Sequence, residues 1–266
     1  MSSELMAKKK HLEALIQAWP SAFVAYSGGV DSSFLLWTAH QIHGSKVVGI
    51  LGDSPSLPRS EHNSALNFAK SYNLNVQILQ THELEDPSYS SNPSNRCFFC
   101  RSELFQQMER LAQTRGVAVL AYGENADDAK EVRAGRIAAG QFKVVAPLRE
   151  AELTKSEIRS LARDANLEIA EKPASPCLSS RLAPGLPVTT QRLAAIEKAE
   201  DIIRNEGFRI VRVRHFGEKA FVQVSPDETP RLNDSLLQAK LTPAITAVGF
   251  RYVEFDAVGY QGAGLR

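Results

Sequence analysis

The feature that constrains this chain most is a short apolar run, Phe23-Val24-Ala25-Tyr26, that stops in Ser27-Gly28-Gly29-Val30-Asp31-Ser32-Ser33. An apolar run ended by Ser-Gly-Gly reads as a buried strand. Phe34, Leu35, Leu36, Trp37 and Ala39 read as a helix packed back against it. A strand-to-helix loop of this composition is an anion cradle. Two glycines let the backbone approach a ligand closely, and bare amides at the helix start favour negative charge. Ser27, Ser32 and Ser33 add hydroxyl donors. Asp31 is the odd member, because its charge repels a phosphate unless it caps the helix or works with a metal. No Gly-Lys-Ser/Thr closes the loop, so it is not a Walker A sequence.

These residues resemble the PP-loop of the ATP pyrophosphatases, which adenylate a substrate and release pyrophosphate. The resemblance implies ATP as the nucleotide and leaves the substrate open. Gly123-Glu124-Asn125-Ala126-Asp127-Asp128 resembles a second segment of that family, Gly-x-Asn-x-Asp-Asp, which lines the nucleotide site. Clustered carboxylates suit a Mg2+ ion bridging phosphate oxygens. Gly123, Asp127, the strand-end Asp53 and Lys172 are therefore expected at the ATP site, with Arg133 and Arg136 as further sources of positive charge.

The pattern along the chain supports an α/β fold. Short apolar runs at 23–26, 46–51, 76–79 and 117–122 alternate with helical periodicity up to residue 43 and at 60–72 and 98–115. This alternation predicts a doubly wound parallel sheet, with ligands beyond the carboxyl ends of the strands. A further helix is expected at 11–19, and one at 154–165 opened by a Thr154/Glu157 capping box. Residues 87–95 and 171–187 are Pro-rich and irregular. A boundary is expected near Pro187, giving a PP-loop domain over 1–187 and a small α+β domain over 188–266 for substrate binding or oligomerisation. In that domain 190–205 reads as a helix and 209–216, 221–224 and 251–255 as strands.

Composition removes several classes. A formal net charge of +1 is not that of a polyelectrolyte nucleic-acid binder, and no apolar run approaches membrane-spanning length. Lys8-Lys9-Lys10 has no apolar segment behind it, so no targeting signal is expected. Three cysteines, an odd number, do not suggest a disulfide framework. A cytoplasmic location is the expectation.

The cysteines carry the second signal. Cys97-Phe98-Phe99-Cys100 is a C-x-x-C, and Cys177 lies far downstream in Pro176-Cys177-Leu178-Ser179-Ser180-Arg181. Without a second C-x-x-C there is no four-cysteine zinc site, and His62, His82 and His215 only weakly suggest a mixed one. Three thiolates can hold three irons of a four-iron cluster, or act as nucleophiles that carry or surrender sulfur. In Val211-Arg212-Val213-Arg214, strand alternation places both arginines on one face. Paired guanidiniums on a strand suit a phosphate or carboxylate.

The PP-loop, Gly52-Asp53-Ser54, Asn95-Arg96-Cys97-x-x-Cys100, the Pro-Cys-Leu-Ser-Ser-Arg segment and the Arg-Val-Arg strand occur in one order. Together they resemble, over nearly the whole chain, the LarE family of ATP-dependent sulfur transferases, which serve nickel-pincer nucleotide biosynthesis. The resemblance implies adenylation of a pyridinium dicarboxylate mononucleotide and its conversion to a thiocarboxylate. Three-cysteine members are associated with a [4Fe-4S] cluster, here on Cys97, Cys100 and Cys177. Members lacking the C-x-x-C sacrifice the third cysteine, which keeps sacrificial use of Cys177 as the alternative. Ser180, Arg181, Arg212 and Arg214 correspond to substrate-binding residues and Glu200 to a metal-binding carboxylate, with Asp227 and Glu228 weaker candidates. A sulfide source and a homo-oligomer are further implications, and no nucleic-acid partner is expected. A tRNA-thiolating PP-loop enzyme is the rival reading.

Overall fold

The computed structural model of the chain describes residues 2–130 and 134–260, the side chains of 129, 130 and 134–136 excepted. In chain order its elements are α1 (Ser3–Gln17), β1 (Ala22–Tyr26), α2 (Val30–His43), β2 (Val47–Asp53), α3 (Arg59–Ser71), β3 (Val76–Gln80), α4 (Pro87–Ser90), α5 (Arg96–Arg115), β4 (Val119–Tyr122), α6 (Ala134–Gln141), α7 (Pro147–Glu150) and α8 (Lys155–Asp164). Then follow α9 (Thr190–Asn205), β5 (Val211–Phe216), β6 (Lys219–Val224), α10 (Thr229–Leu232), α11 (Ser235–Ala247) and β7 (Tyr252–Phe255). They form two compact units. The first comprises Met1–Ser54, Arg59–Glu83 and Asn95–Ser175; the second comprises Pro55–Pro58, Leu84–Ser94 and Pro176–Arg266. The passage from Ser175 to Pro176 falls inside the irregular stretch 171–187.

The first unit is a parallel sheet in the order β3-β2-β1-β4, a doubly wound α/β fold. β1 is central, and Ala22, Phe23, Val24 and Tyr26 are buried along it. A strand covered on both faces needs such a continuous apolar run. From β1 the chain winds outward through β2 and β3 on one side, then returns to place β4 on the other. The carboxyl ends of β1 and β4 therefore frame the topological switch point, where such sheets bind ligands. Phe23, Ile50, Phe105, Met108, Leu120 and Tyr122 share one core cluster, which fixes α5 beside the sheet.

Several helices begin earlier than periodicity implies. The first starts at Ser3 because the Ser2 hydroxyl accepts from the Leu5 amide at 3.2 Å. Helix α5 starts at Arg96, so Cys97 and Cys100 both lie within the helix. The expected loop 87–95 contains the one-turn helix α4, capped by Asp86, whose carboxylate accepts from the Ser88 amide at 2.8 Å. The Thr154/Glu157 capping box is present at α8.

The second unit is a three-stranded sheet in the order β5-β6-β7, antiparallel then parallel. Helix α9 packs on β5 and buries Leu193, Ile196, Ala199 and Ile203. Residues 84–94 belong to this unit through specific bonds. Tyr89 Oη lies 2.7 Å from Ser179 Oγ, and the Asn92 amide donates to the Ala183 and Leu186 carbonyls, both at 2.9 Å. Among the described residues no helix is long and apolar enough to cross a membrane.

Candidate active site

The loop after β1 has the conformation its glycines require. Gly28 has φ of +70°, and a Cβ there would lie 2.7 Å from the Ala65 Cβ. Gly29 is the N-cap of α2 and supplies no side-chain acceptor, so the first amides of that helix are left for a ligand. Ser32 braces the turn: its hydroxyl accepts from the Ser27 amide at 3.2 Å and donates to the Gly29 carbonyl at 3.2 Å. Ser33 is fully buried. Gly123, at the end of β4, touches the start of α2, and a Cβ there would meet the Ser32 amide nitrogen at 2.8 Å.

A cavity of about 290 Å³ opens at this switch point. Ser27, Gly29, Asp31 and Ser32 line it from the loop, and Gly123, Glu124 and Asp128 from the turn after β4. Arg101, Leu104 and Phe105 line it from α5, and Lys155 from the start of α8. Asp31 Oδ2 accepts from Asn125 Nδ2 at 3.2 Å and Lys155 Nζ at 3.5 Å. Its Oδ1 is buried with no hydrogen-bond partner. Burial pushes the Asp31 carboxyl above the usual aspartate range, although Lys155 and Asn125 pull the other way. A buried carboxylate oxygen without a partner, in one cavity with Asp128, is the hard-oxygen setting that Mg2+ takes.

Asp127 Oδ2 accepts from the Lys155 amide at 2.9 Å and so holds the start of α8. Asn125 Oδ1 accepts from the Asp127 and Asp128 amides at 2.9 and 3.2 Å, which folds the turn. Glu124 is buried, and its Oε2 accepts from Tyr122 Oη at 2.5 Å and from Arg149 Nη1 at 2.6 Å. Burial and that bond push the Tyr122 phenol up. Lys172 Nζ donates to the Gly28 carbonyl at 3.0 Å and Ser64 Oγ at 3.0 Å, and pairs with Glu61 at 2.8 Å. It thus ties the loop to α3. Asp53 pairs with Arg59 at 2.7 Å and accepts from Gln80 at 2.9 Å. Burial opposes its ionisation, yet Gln80 and Arg59 outweigh that and hold its carboxyl below the usual range. Arg133 and the Arg136 side chain lie outside the described residues.

Lys155 and Arg101 are not singled out by sequence pattern. Lys155 follows a capping threonine and Arg101 follows Cys100, so each has a local marker that only the fold makes meaningful. The Arg101 guanidinium also lies 5.8 Å from the Tyr122 ring centroid.

Cys97 and Cys100 occupy the first turns of α5 at i and i+3, which puts both thiols on one helix face. Cys97 is exposed and Cys100 half-buried. Cys177, half-buried in the second unit, caps the short 3-10 turn Leu178–Arg181. None of the three is in a disulfide. Among the described residues no group of three or more His, Cys, Asp or Glu side chains is arranged to hold a metal ion.

The second unit gathers three buried guanidiniums. Arg212 and Arg214 share a face of β5 and are 4% and 6% exposed; Arg181 is 4% exposed. Arg212 Nη2 donates to the Ser180 carbonyl at 2.8 Å and Ser180 Oγ at 3.1 Å. Its Nε is buried without a partner, and its guanidinium lies 5.2 Å from the Tyr260 ring centroid. Burial, with the charges of Arg181 and Arg214, lowers the Arg212 pKa to about 10. Arg214 Nε donates to Gln223 Oε1 at 2.8 Å, and Gln223 in turn to Asp256 at 2.7 Å. Two neighbouring cations, Arg212 and Arg214, with an orphaned buried donor on Arg212, suit a bound anion. Glu200, fully buried, has both carboxylate oxygens taken by Arg181, Arg204 and the Val213 amide. Asp227 and Glu228 face Arg209, which donates to Asp227 at 2.6 Å.

No family model matches the chain. Its sequence is 34% identical to that of an uncharacterized protein of Synechocystis sp., over 98% of this chain and 97% of that one. It is 28% identical to the pyridinium-3,5-bisthiocarboxylic acid mononucleotide synthase of Lactiplantibacillus plantarum, over 97% of this chain and 93% of that enzyme. A subunit of the glutamine-hydrolyzing GMP synthase of Methanococcus vannielii is 28% identical over 69% of this chain and 63% of its own length. End-to-end likeness to a thiocarboxylate-forming synthase, in a chain whose parallel sheet opens on a Ser-Gly-Gly loop, identifies it as an enzyme of the LarE family within the PP-loop superfamily.

Proposed function

We propose that this enzyme activates a carboxylate of a pyridinium dicarboxylate mononucleotide with ATP and replaces one carboxylate oxygen with sulfur. The observation that carries the reading is the uncapped start of α2 beside the unpartnered Asp31 Oδ1, in one cavity. Amides there receive phosphate oxygens, and Asp31 with Asp128 would hold the Mg2+ that neutralises them. A substrate carboxylate oxygen attacks the α-phosphorus of ATP, the bond to the bridging oxygen breaks, and pyrophosphate leaves. Loop amides and Lys155 stabilise the charge that develops. The carboxylate now carries AMP as its leaving group. A sulfur nucleophile attacks the acyl carbon, the C–O bond breaks, and AMP departs with its electron pair, leaving a thiocarboxylate. Arg212 and Arg214 receive the substrate phosphate.

Cys97, Cys100 and Cys177 would hold three irons of a [4Fe-4S] cluster, which supplies an exchangeable sulfide when bound. Supporting this are two thiols on one helix face and three cysteines outside any disulfide. The test is anaerobic turnover with ATP, Mg2+, substrate and sulfide. Repeated turnover with intact Cys177 and about four irons per chain is expected. Conversion of Cys177 to dehydroalanine in a single turnover, retained in Cys97→Ala and Cys100→Ala, would replace the cluster with sacrificial donation. Thiolation of bulk tRNA by the purified protein would favour the tRNA-modifying alternative.

A further inference from the structure

The carbonyl of Cys177 is held by three donors: Ser180 Oγ at 2.6 Å, the Ser180 amide at 3.0 Å and Arg181 Nη1 at 2.9 Å. The same Nη1 also donates to the Pro176 carbonyl. Those two carbonyls belong to the peptide planes on either side of the Cys177 Cα. Fixing both planes fixes the Cys177 backbone at φ −60° and ψ 157°, and with it the direction of the Cα–Cβ bond. Arg181 is itself immobilised. Its Nε and Nη2 fork onto Glu200 at 2.9 and 3.2 Å. Glu200 is fully buried and anchored by Arg204 Nη2 at 2.6 Å and the Val213 amide at 3.1 Å. One planar guanidinium therefore reaches from a rigid carboxylate, shared by α9 and β5, to both peptide groups around the thiol-bearing residue. Four of its five N–H groups are committed to these bonds, so little of it is left for a substrate.

We propose that Arg181 and Glu200 are a positioning pair that locks the peptide planes around Cys177 and aims its thiol for sulfur delivery. The role rests on the sulfur-handling function given above to Cys177. It makes Glu200 an anchor for arginine and Arg181 a support for the reactive residue.

Arg181→Ala strips a buried carboxylate of a cation and is expected to impair folding, so the informative variant is Arg181→Lys. A lysine ammonium can pair with Glu200 but lacks the planar fork that reaches both carbonyls. In Arg181→Lys, KM for the nucleotide substrate and pyrophosphate release are expected at wild-type values. Sulfur transfer from the adenylate is expected to fall roughly tenfold to a hundredfold, the scale of a misplacement of about 1 Å. A second measurement does not depend on the reaction. The rate of Cys177 alkylation by iodoacetamide, read by mass spectrometry in a Cys97→Ala/Cys100→Ala background, should change several-fold on adding Arg181→Lys. Arg212→Ala is the comparison, since loss of a phosphate contact raises substrate KM. If Arg181→Lys behaves like Arg212→Ala, raising KM with unchanged transfer, or if Cys177 alkylates at the unaltered rate, the positioning role is overturned. A wild type that alkylates as expected but transfers no sulfur would remove the functional reading and leave the positioning role standing.

Discussion

Asp31 has one oxygen bonded to Asn125 and Lys155 and the other buried without a partner. In the proposed reaction the unpartnered oxygen is the one that takes Mg2+. Asp31→Asn keeps the shape and the contacts of one oxygen but removes the charge a Mg2+ needs. Substrate-dependent pyrophosphate release should fall on the order of 100-fold or more while thermal stability stays close to wild type; an unchanged rate would exclude Asp31 from the ATP reaction. His215 gives a prediction on stability. It is buried against Phe250, and burial together with the Arg192 charge lowers its pKa from 6.5 to about 4. The unfolded chain therefore binds a proton that the folded chain refuses between these values, so stability falls as pH drops from about 6.5 towards about 4. Urea midpoints across that range should fall less steeply in His215→Gln; equal slopes would show that other groups dominate. At this scale the loop residues are legible in the sequence, because Ser-Gly-Gly after an apolar run has a local physical meaning. Lys155 and Arg101 are not, because a lone cation gains a role only when the fold brings it to a cavity. Sequence pattern places Asp127 and Lys172 at the ATP site; what it does not show is that they also bond the Lys155 amide and the Gly28 carbonyl with Glu61 and Ser64.

Among the elements, the strands of the parallel sheet are the most legible, since burial on both faces imposes short continuous apolar runs. Helix starts are less so. Caps from Ser2 and Asp86 depend on one side chain each and leave no periodicity to read. Contact between elements is the sharper constraint on the site. Gly123 has an ordinary φ, so strain is not what demands glycine there. The end of β4 touches the backbone of α2, with the Ser32 amide nitrogen 2.8 Å and the Asp31 carbonyl carbon 3.1 Å from where a Cβ would stand. Gly123→Ala must push the start of α2 aside. It should raise KM for ATP strongly and leave binding of the nucleotide substrate near wild type. An unaltered ATP KM would mean that the first turn of α2 does not hold the phosphates.

For the whole molecule, the two units are interleaved along the chain, and nothing in local periodicity announces it. Residues 87–95 read as a loop between a strand and a helix, yet Leu84–Ser94 are built into the second unit, some ninety residues away in sequence. Asn92 shows how: its amide satisfies the Ala183 and Leu186 carbonyls, and its φ is +58°. Asn92→Gly keeps that backbone conformation and removes only the side-chain bonds. It should destabilise the protein by about 1–3 kcal/mol, read from a urea midpoint, because the Leu186 carbonyl loses its donor and the Ala183 carbonyl is left with the Leu186 amide. An unchanged midpoint would show that the excursion contributes little to the second unit. Activation of a carboxylate by attack on the α-phosphorus before sulfur enters can be followed directly by isotope position. Substrate labelled with oxygen-18 in its carboxylates is turned over with ATP, Mg2+ and sulfide, and the label is located by mass spectrometry. One labelled oxygen is expected in the phosphate of AMP for each thiocarboxylate formed. Label appearing in inorganic phosphate beside ADP, or AMP released without label, would contradict it.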